Sequence, residues 1–362
     1  MQDKQKNPQF VYHSRSPLNG GTPPEIIRRQ FTTPVDQFYI RSHGNIPQVN
    51  LNDFRLIVDG LVRQPLTLTL FGLQSAFSQR RVVATLQCAG NRRDELMKLE
   101  AIPGETPWGP EAVGTAEWTG VCLADVLRTA GLKPEAKHLA FSGLDEIEKQ
   151  GERFLYGGSI PIDKALGPEV LLAFEINGKQ LPPAHGYPLR MVVPGYIGAR
   201  SGKWLSRLTL QTEPSRNYYQ AKAYRLYPPN MRQENVVWEA GIELGEFAVN
   251  TVICSPKEGD QVEKGRELLQ GYALAGGGRR VERVDVSADG GKNWQLARLG
   301  NEGDRWTWRF WEAEVELKPG ANEIVARAWD SATNTQPEDP AAIWNFKGYM
   351  NNAWHRVRVT RK

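Results

Sequence analysis

Cys88 stands in ATLQCAGNRRDE, residues 84–95, just after the apolar run Val82-Val83-Ala84. Its turn is rich in small and polar residues, and Arg92 and Arg93 follow within five positions. A thiol that binds a metal must lose its proton, and nearby guanidinium charge favours that loss. The same charge draws an anionic substrate toward whatever Cys88 holds. By itself a lone cysteine is more often a small buried hydrophobe than a ligand. The chain has no CxxC and no HExxH, and no partner ligand stands near Cys88 in sequence, which points away from zinc.

A second group lies downstream. His185 and Arg190 stand in PAHGYPLR, and Arg200 and Lys203 in GARSGKW. These are three permanent cations and a histidine within nineteen positions, interleaved with Gly186, Gly195, Gly198 and Gly202. Glycines let the backbone approach a phosphate, and arginines clamp it. The spacing is not that of a P-loop. Read singly, each of these is a surface charge or a satisfied histidine. Arg41 and His43, in YIRSHG, read singly as an exposed loop, and Asp145, in FSGLDE, as a solvated acid that can accept hydrogen bonds.

The elements that must position these residues fall into two parts. The length of 362 residues suggests two domains. The first thirty or so residues are polar and proline-rich and read as an irregular arm. Residues 51–62 alternate like a strand, and residues 66–77 read as a strand running into a short helix. Residues 119–132 fit a helix through Val121, Leu123, Val126 and Leu127, with Cys122 packed inside it and Gly131 as the stop. Residues 168–176 read as a buried strand ending in an Asn177-Gly178 turn, and residues 187–195 as another strand. Strands mixed with short helices in this order predict an α+β domain. Beyond about residue 240 the pattern becomes alternating strands separated by turns such as Asp289-Gly290-Gly291, without a helix. That predicts an immunoglobulin-type β-sandwich. The polar stretch 224–235 is the connector, dividing the chain into residues 1–238 and 239–362.

Composition excludes several classes. With 40% hydrophobic and 24% charged residues the chain reads as an ordinary soluble globular protein. A formal net charge of +4 without a basic block gives no case for nucleic acid. Cys88, Cys122 and Cys254 are too few and too far apart for a disulfide framework. The N-terminus has neither an apolar h-region nor a twin arginine, and no transmembrane run occurs. This is the pattern of a cytoplasmic protein, or of a periplasmic one whose leader has been removed.

QCAGNRR closely resembles the cysteine-ligand loop of the sulfite oxidase family of molybdenum–pterin enzymes. FYIRSHGNIP (38–47), LLAFEINGKQLPPAHGYPLRMVVPGYIGARSGKWL (171–205), WTWRFWEAEV (306–315) and PAAIWNFKGYMNNAWHRVRV (340–359) resemble further family segments in the same order. The resemblance implies a molybdopterin-binding domain followed by an immunoglobulin-like dimerisation domain. It implies Cys88 as the metal's protein ligand, because the cofactor's dithiolene supplies the remaining sulfurs. It assigns Arg41, His43, Asp145, His185, Arg190, Arg200 and Lys203 to the cofactor. Arg41, Arg93 and Arg309 match the family's substrate arginines, and Trp108 its pocket tryptophan. Trp108 is displaced by one residue, which implies an insertion in the loop 94–107. The family's pocket tyrosine is expected in LLAFEING, where this chain has Phe174; Tyr196 is a nearby tyrosine that could stand in for it.

The expected function is molybdenum-dependent oxidation of sulfite to sulfate by oxo transfer, with one molybdopterin per chain and no haem. Electrons would pass to an external acceptor, a cytochrome or oxygen. A nitrate reductase-like or other molybdopterin oxidoreductase on this scaffold is the first alternative, and a cofactor-less Ig-like interaction protein the second. The expected partners are sulfite and a second copy of the chain, with no nucleic acid and no membrane. The homodimer is expected through residues 240–362, whose tryptophans at 294, 306, 308, 311, 329, 344 and 354 either face the partner or fill the sandwich core.

Overall fold

The structure, a computed structural model, describes residues 6–149, 151–263, 265–301 and 303–362. The arm is not irregular. Val11–Arg15, Leu18–Gly21 and Ile40–Arg41 form a three-stranded antiparallel sheet, with Asn19 opposite Arg41. Residues 1–5 of the predicted arm lie outside the described residues. The glycines explain the sheet. A Cβ on Gly20 would stand 2.4 Å from the Phe10 ring, and one on Gly21 2.7 Å from Glu111. Only glycine lets this polar strand lie so close to its neighbours. The sheet fixes Arg41.

Two five-stranded sheets carry the rest of the first domain. In one, Gln79–Gln87, Val113–Cys122 and Leu171–Ile176 run antiparallel in that order, and both Lys179–Gln180 and Arg190–Val192 pair with Leu171–Ile176. In the other, Leu66–Leu68, Leu56–Gly60, Leu205–Gln211, His138–Lys149 and Glu152–Pro161 lie side by side, Leu56–Gly60 and Leu205–Gln211 being parallel. The helix expected over 119–132 begins only at Leu123 and ends at Ala130, with Gly131 at φ +69°. Val121 belongs to a strand because it pairs with Gln79 and Leu172, and ladder pairing overrides helical spacing. Cys122 is buried at the junction of strand and helix. The Asn177-Gly178 turn forms as expected, both residues having positive φ. Residues 187–195 give only the short strand Arg190–Val192, since Pro188 and Pro194 lack the amide a ladder needs.

The second domain is a sandwich of two sheets. One orders Asn250–Ser255, Arg266–Leu274, Arg309–Glu316 and Arg298–Leu299; the other orders Gln261–Val262, His355–Arg361, Gly320–Asp330, Val281–Ser287 and Gln295–Leu296. Leu269, Val284, Trp311 and Ile324 fill the space between them. The tryptophans mostly serve packing: Trp308 and Trp311 are fully buried, and Trp294, Trp329 and Trp354 surround the Arg327 guanidinium. One apolar cluster runs from Leu139 and Met191 to Tyr272 and Trp308, so the two domains share a core. Trp308 reinforces the junction by donating its indole N–H to Phe31 O.

Candidate functional site

Cys88 follows directly on the strand Gln79–Gln87, where the chain turns into the short helix Arg93–Met97. Its backbone N–H donates to Ala112 O, and the Gly90 amide donates to Sγ at 3.4 Å. Met350 N–H, from the second domain, donates to Ala89 O. The sulfur is thus held at the junction of the domains, 6% exposed, on the wall of a cleft.

The two arginines of the motif diverge. Arg92 adopts a left-handed conformation, φ 63°, and grips Glu95 through Nε at 2.8 Å and Nη2 at 2.7 Å. Its third nitrogen reaches Asn250 of the second domain at 2.7 Å. Arg93 instead donates to two carbonyls, Lys347 O at 3.0 Å and Thr106 O at 2.7 Å. Its side chain lies between Gly90 and Gly348; a Cβ on either would come within 2.5 Å of it. Its guanidinium faces the Tyr349 ring at 5.2 Å.

The cleft beside Cys88 is lined by Arg41, His43, Asp145, His185, Arg190 and Lys203 among others. Each is placed by a separate device. Arg190 donates to His185 O and Ser201 O. Lys203 Nζ donates to Ser42 Oγ and Ala184 O. Lys6 Nζ, from the arm, donates to His185 Nε2 at 3.1 Å. Burial lowers the Lys203 ammonium to about 7, helped by Arg190, and raises the Asp145 carboxyl to about 6 against the pull of Lys203. Among these lining residues two buried polar atoms, Asp145 Oδ1 and Arg190 Nε, find no hydrogen-bond partner among the described residues. Orphaned groups of this kind call for a polar ligand. An acceptor at one end and cations elsewhere suit a group that combines hydrogen-bond donors with anionic oxygens, and a pterin with a phosphate tail is such a group.

His43 links the cleft to a cluster of tyrosines. Burial, reinforced by Arg41, holds its imidazole well below the usual range, so it is neutral. Arg41 Nη2 lies 3.0 Å from His43 Nδ1, and an arginine can only donate. Nδ1 therefore accepts, and Nε2 carries the proton. Nε2 lies 2.7 Å from the Tyr224 hydroxyl and donates to it. The hydroxyl is left with its own proton to offer elsewhere. Tyr224 has φ 51°, an uncommon conformation for a bulky residue, and its ring stacks on Tyr349 at 5.2 Å. Burial raises its pKa; Arg41 opposes the shift, and the charges of Cys88, Glu105 and Arg93 also reach this one hydroxyl.

The structure brings Arg41, His43, Cys88, Asp145, His185, Arg190 and Lys203 to one cleft, and Arg93 to its Tyr224–Tyr349 end. Four of the predicted site residues, and the stand-in candidate Tyr196, lie elsewhere. Arg200 is fully enclosed behind the cleft, donating to Leu244 O and Tyr219 O, so it braces the wall and does not line it. Trp108 is fully buried and packs edge-on against His13 in the cluster that also holds Cys88. Phe174 is a core residue of the strand Leu171–Ile176, and Tyr224 is the tyrosine that sits in the pocket. Arg309 binds carbonyls of its own sandwich, Gly300 O and Val281 O, away from Cys88. Tyr196 forms a bridge with Glu246 under the Lys164 ammonium and is not in the cleft. The second domain reaches the site through its loop 345–352, with Lys347 and Tyr349. Sequence reasoning missed these, Tyr224 and Glu105. The available signals were the aromatic run NYYQAKAY and the asparagines around Gly348-Tyr349, which hold that loop through Asn345 and Asn351.

Known proteins bear on this site. Residues 43–219 match the family model of the oxidoreductase molybdopterin binding domain, and residues 242–362 that of the Mo-co oxidoreductase dimerisation domain. The chain is 40% identical over 368 residues to mitochondrial sulfite oxidase of Homo sapiens, covering 99% of this chain and 67% of that protein. It is 37% identical over 377 residues to sulfite oxidase of Arabidopsis thaliana, covering 98% and 95%. Its fold matches the sulfane dehydrogenase SoxCD of Paracoccus pantotrophus with a TM-score of 0.81 at 28% identity, covering 98% of this chain and 87% of that one. A chain with these two domains, a single cysteine on the wall of a cationic cleft and this likeness along its whole length belongs to the sulfite oxidase family of molybdopterin oxidoreductases.

Proposed function

We propose that this chain oxidises sulfite to sulfate, with one molybdenum–pterin cofactor per chain held in the cleft and Cys88 as the metal's protein ligand. When bound, the cofactor supplies oxygen-atom transfer and the two-electron redox change. His185, Arg190 and Lys203 would hold its anionic end and Asp145 its donor edge. The net reaction joins sulfite and water into sulfate, releasing two protons and two electrons. The chain carries no haem in this reading, and the electrons leave to an external acceptor.

The observation that carries the reading is that Arg41 and Tyr224 line the cleft with Cys88, while Arg93 lies over the Tyr349 ring that stacks on Tyr224. Sulfite is an oxyanion and needs several donors in a partly dehydrated pocket. Arg41 and Arg93 supply fixed positive charge. Burial works against the Arg41 charge, yet the acidic side chains around it outweigh burial and raise its pKa, so it stays cationic throughout. Tyr224, oriented by His43, donates its free proton to an oxygen of the anion. The stacked Tyr224 and Tyr349 rings exclude water from that side. The match of residues 242–362 to a dimerisation domain supports a homodimer.

Metal analysis together with an acceptor screen tests this. Purified protein should contain about one molybdenum per chain and reduce ferricyanide, cytochrome c or oxygen when given sulfite. Loaded enzyme that ignores sulfite and turns over nitrate would overturn the reading.

A further inference from the structure

Glu105 is a carboxylate in a place suited to an anion. It lies in the turn between the helix Arg93–Met97 and Trp108, next to Gly104, which has φ +77° and open space around it. Its Oε2 is 3.7 Å from Arg93 Nη2, and its Oε1 is 3.5 Å from Lys347 Nζ. The Glu105 side chain is only 16% exposed. Its charge reaches Arg41, Tyr224, Tyr349 and Lys149. Both contacts are long for charge-assisted hydrogen bonds. Arg93 does not depend on Glu105 for its position, because its short hydrogen bonds go to Lys347 O and Thr106 O. Lys347 is steadied by the Phe346 and Trp238 rings, 5.5 and 5.9 Å away. Glu95, in the preceding helix, differs: Arg92 holds both its oxygens below 3 Å. Glu105 is a loosely held counter-charge and not a brace.

We propose that Glu105 tunes the affinity of the substrate site for oxyanions: it is a resident carboxylate that occupies the ground between Arg93 and Lys347 and must yield to any oxyanion that binds there. It weakens dianions in general, and so prevents sulfate from staying after turnover. This rests on the reading of the site as one for sulfite. A free carboxylate beside two cations cancels part of the attraction a dianion would feel, and this opposition is strongest at low ionic strength.

The test is sulfate binding to the loaded enzyme by calorimetry at low salt, alongside the KM for sulfite, in wild type and Glu105→Gln. We expect sulfate Kd and sulfite KM each to fall about tenfold in the variant, the gap narrowing as salt rises. Sulfate affinity unchanged within about twofold, or weaker, overturns the proposal. Glu105→Ala removes the charge without adding a donor and carries the same expectation should the glutamine variant fold poorly. A second arm compares Lys347→Gln in both backgrounds. Its loss should weaken sulfate several-fold more where Glu105 is already neutral, and equal losses overturn the proposal. Sulfate binding needs no turnover. Absence of sulfite oxidation in wild type would therefore sink the functional reading while the Glu105 result stood or fell by itself.

Discussion

Arg92 and Arg93 are neighbours in the chain and both almost wholly buried, yet they belong to different machines. Arg92 sits in a closed junction: both oxygens of Glu95, Asn250 of the second domain, and Asn351 returning a hydrogen bond to its carbonyl. Arg93 lies over the Tyr349 ring at one end of the cleft, held by backbone carbonyls that carry no net charge, with Glu105 only loosely alongside. The difference teaches how to read buried charge. In this pair the guanidinium matched by its own carboxylate is architecture, and the one steadied by neutral carbonyls beside the cleft keeps its charge for a ligand. Sequence places the two residues side by side and cannot tell them apart.

The comparison breaks most visibly at Cys88. Cys88→Ser should leave no measurable sulfite turnover while the denaturation midpoint stays near wild type, since the change is nearly isosteric and the thiol's one hydrogen bond among the described residues comes from the Gly90 amide. An active serine enzyme would remove the cleft's claim to be the reaction site. At the other end, Arg92→Met strands Glu95 in the junction and should destabilise the protein by about 3–5 kcal/mol, read by urea unfolding. The loss should shrink in acid. Burial pushes Glu95 up, but Arg92 outweighs this and holds its pKa below the usual value. Its contribution is therefore present above the unfolded pKa and disappears as pH falls through the folded one.

The cleft has the opposite pH signature. Burial raises Asp145 to about 6 from 3.8, so its share of stability is present in acid and is lost as pH climbs between these values. In cofactor-free protein, Asp145→Asn should gain on wild type across that window, by at most about 3 kcal/mol. Pairing with Lys203 reduces the gain. The same variant should retain less molybdenum. Parallel urea titrations at the two ends of the window, with metal content on the loaded protein, check both halves. A variant whose stability tracks wild type across the window would show that the orphaned oxygen is not a cost to the empty fold.

Much of this was legible beforehand, and what was not follows a pattern. The α+β domain, the sandwich and the Asn177-Gly178 turn announce themselves through local signals, alternation and turn chemistry, whereas the seven cleft residues were picked out by the family resemblance, since Arg41, His43 and Asp145 read singly are an exposed loop and a solvated acid. The three-stranded arm was hidden because its stability comes from glycines meeting Phe10 and Glu111, contacts distant in sequence. Tyr224 was hidden because it sits in a polar connector at positive φ, where no periodicity marks it. Lys347 was hidden because loop 345–352 acquires meaning only when it lies against Arg93. Arg309 drew attention by standing in a tryptophan-rich strand, though strand neighbours in sequence face opposite sides of a sheet.

Tyr224→Phe should lower kcat/KM for sulfite about ten- to a hundredfold, as one lost donor costs about 1–3 kcal/mol and a factor of ten corresponds to about 1.4. Phe174→Tyr should bring no gain, because position 174 is buried in the core and a hydroxyl there has only stability to lose. Steady-state kinetics on both variants decides between the two positions. A faster Phe174→Tyr enzyme beside an unaffected Tyr224→Phe would return the pocket to the strand Leu171–Ile176.

The smallest expected effect belongs to Arg309. Its guanidinium donates to Gly300 O through Nε at 3.2 Å and Nη2 at 2.8 Å, and to Val281 O through Nη1 at 3.0 Å. All of these partners lie within the sandwich, and the side chain is half-buried, so water can replace what a substitution removes. Arg309→Met should therefore cost about 1 kcal/mol of stability and leave kcat and KM for sulfite within about twofold of wild type. Lys347→Met, which removes the cation that the same domain does bring to Glu105 and Arg93, should raise KM while leaving kcat less affected, the signature of lost ground-state binding. The pair discriminates two ways in which a second domain can complete a site: by the end of a strand, or by a loop between elements. A tenfold rise in KM from Arg309→Met, with Lys347→Met silent, would place the strand at the substrate and require a domain arrangement different from the one in which loop 345–352 closes over Arg93.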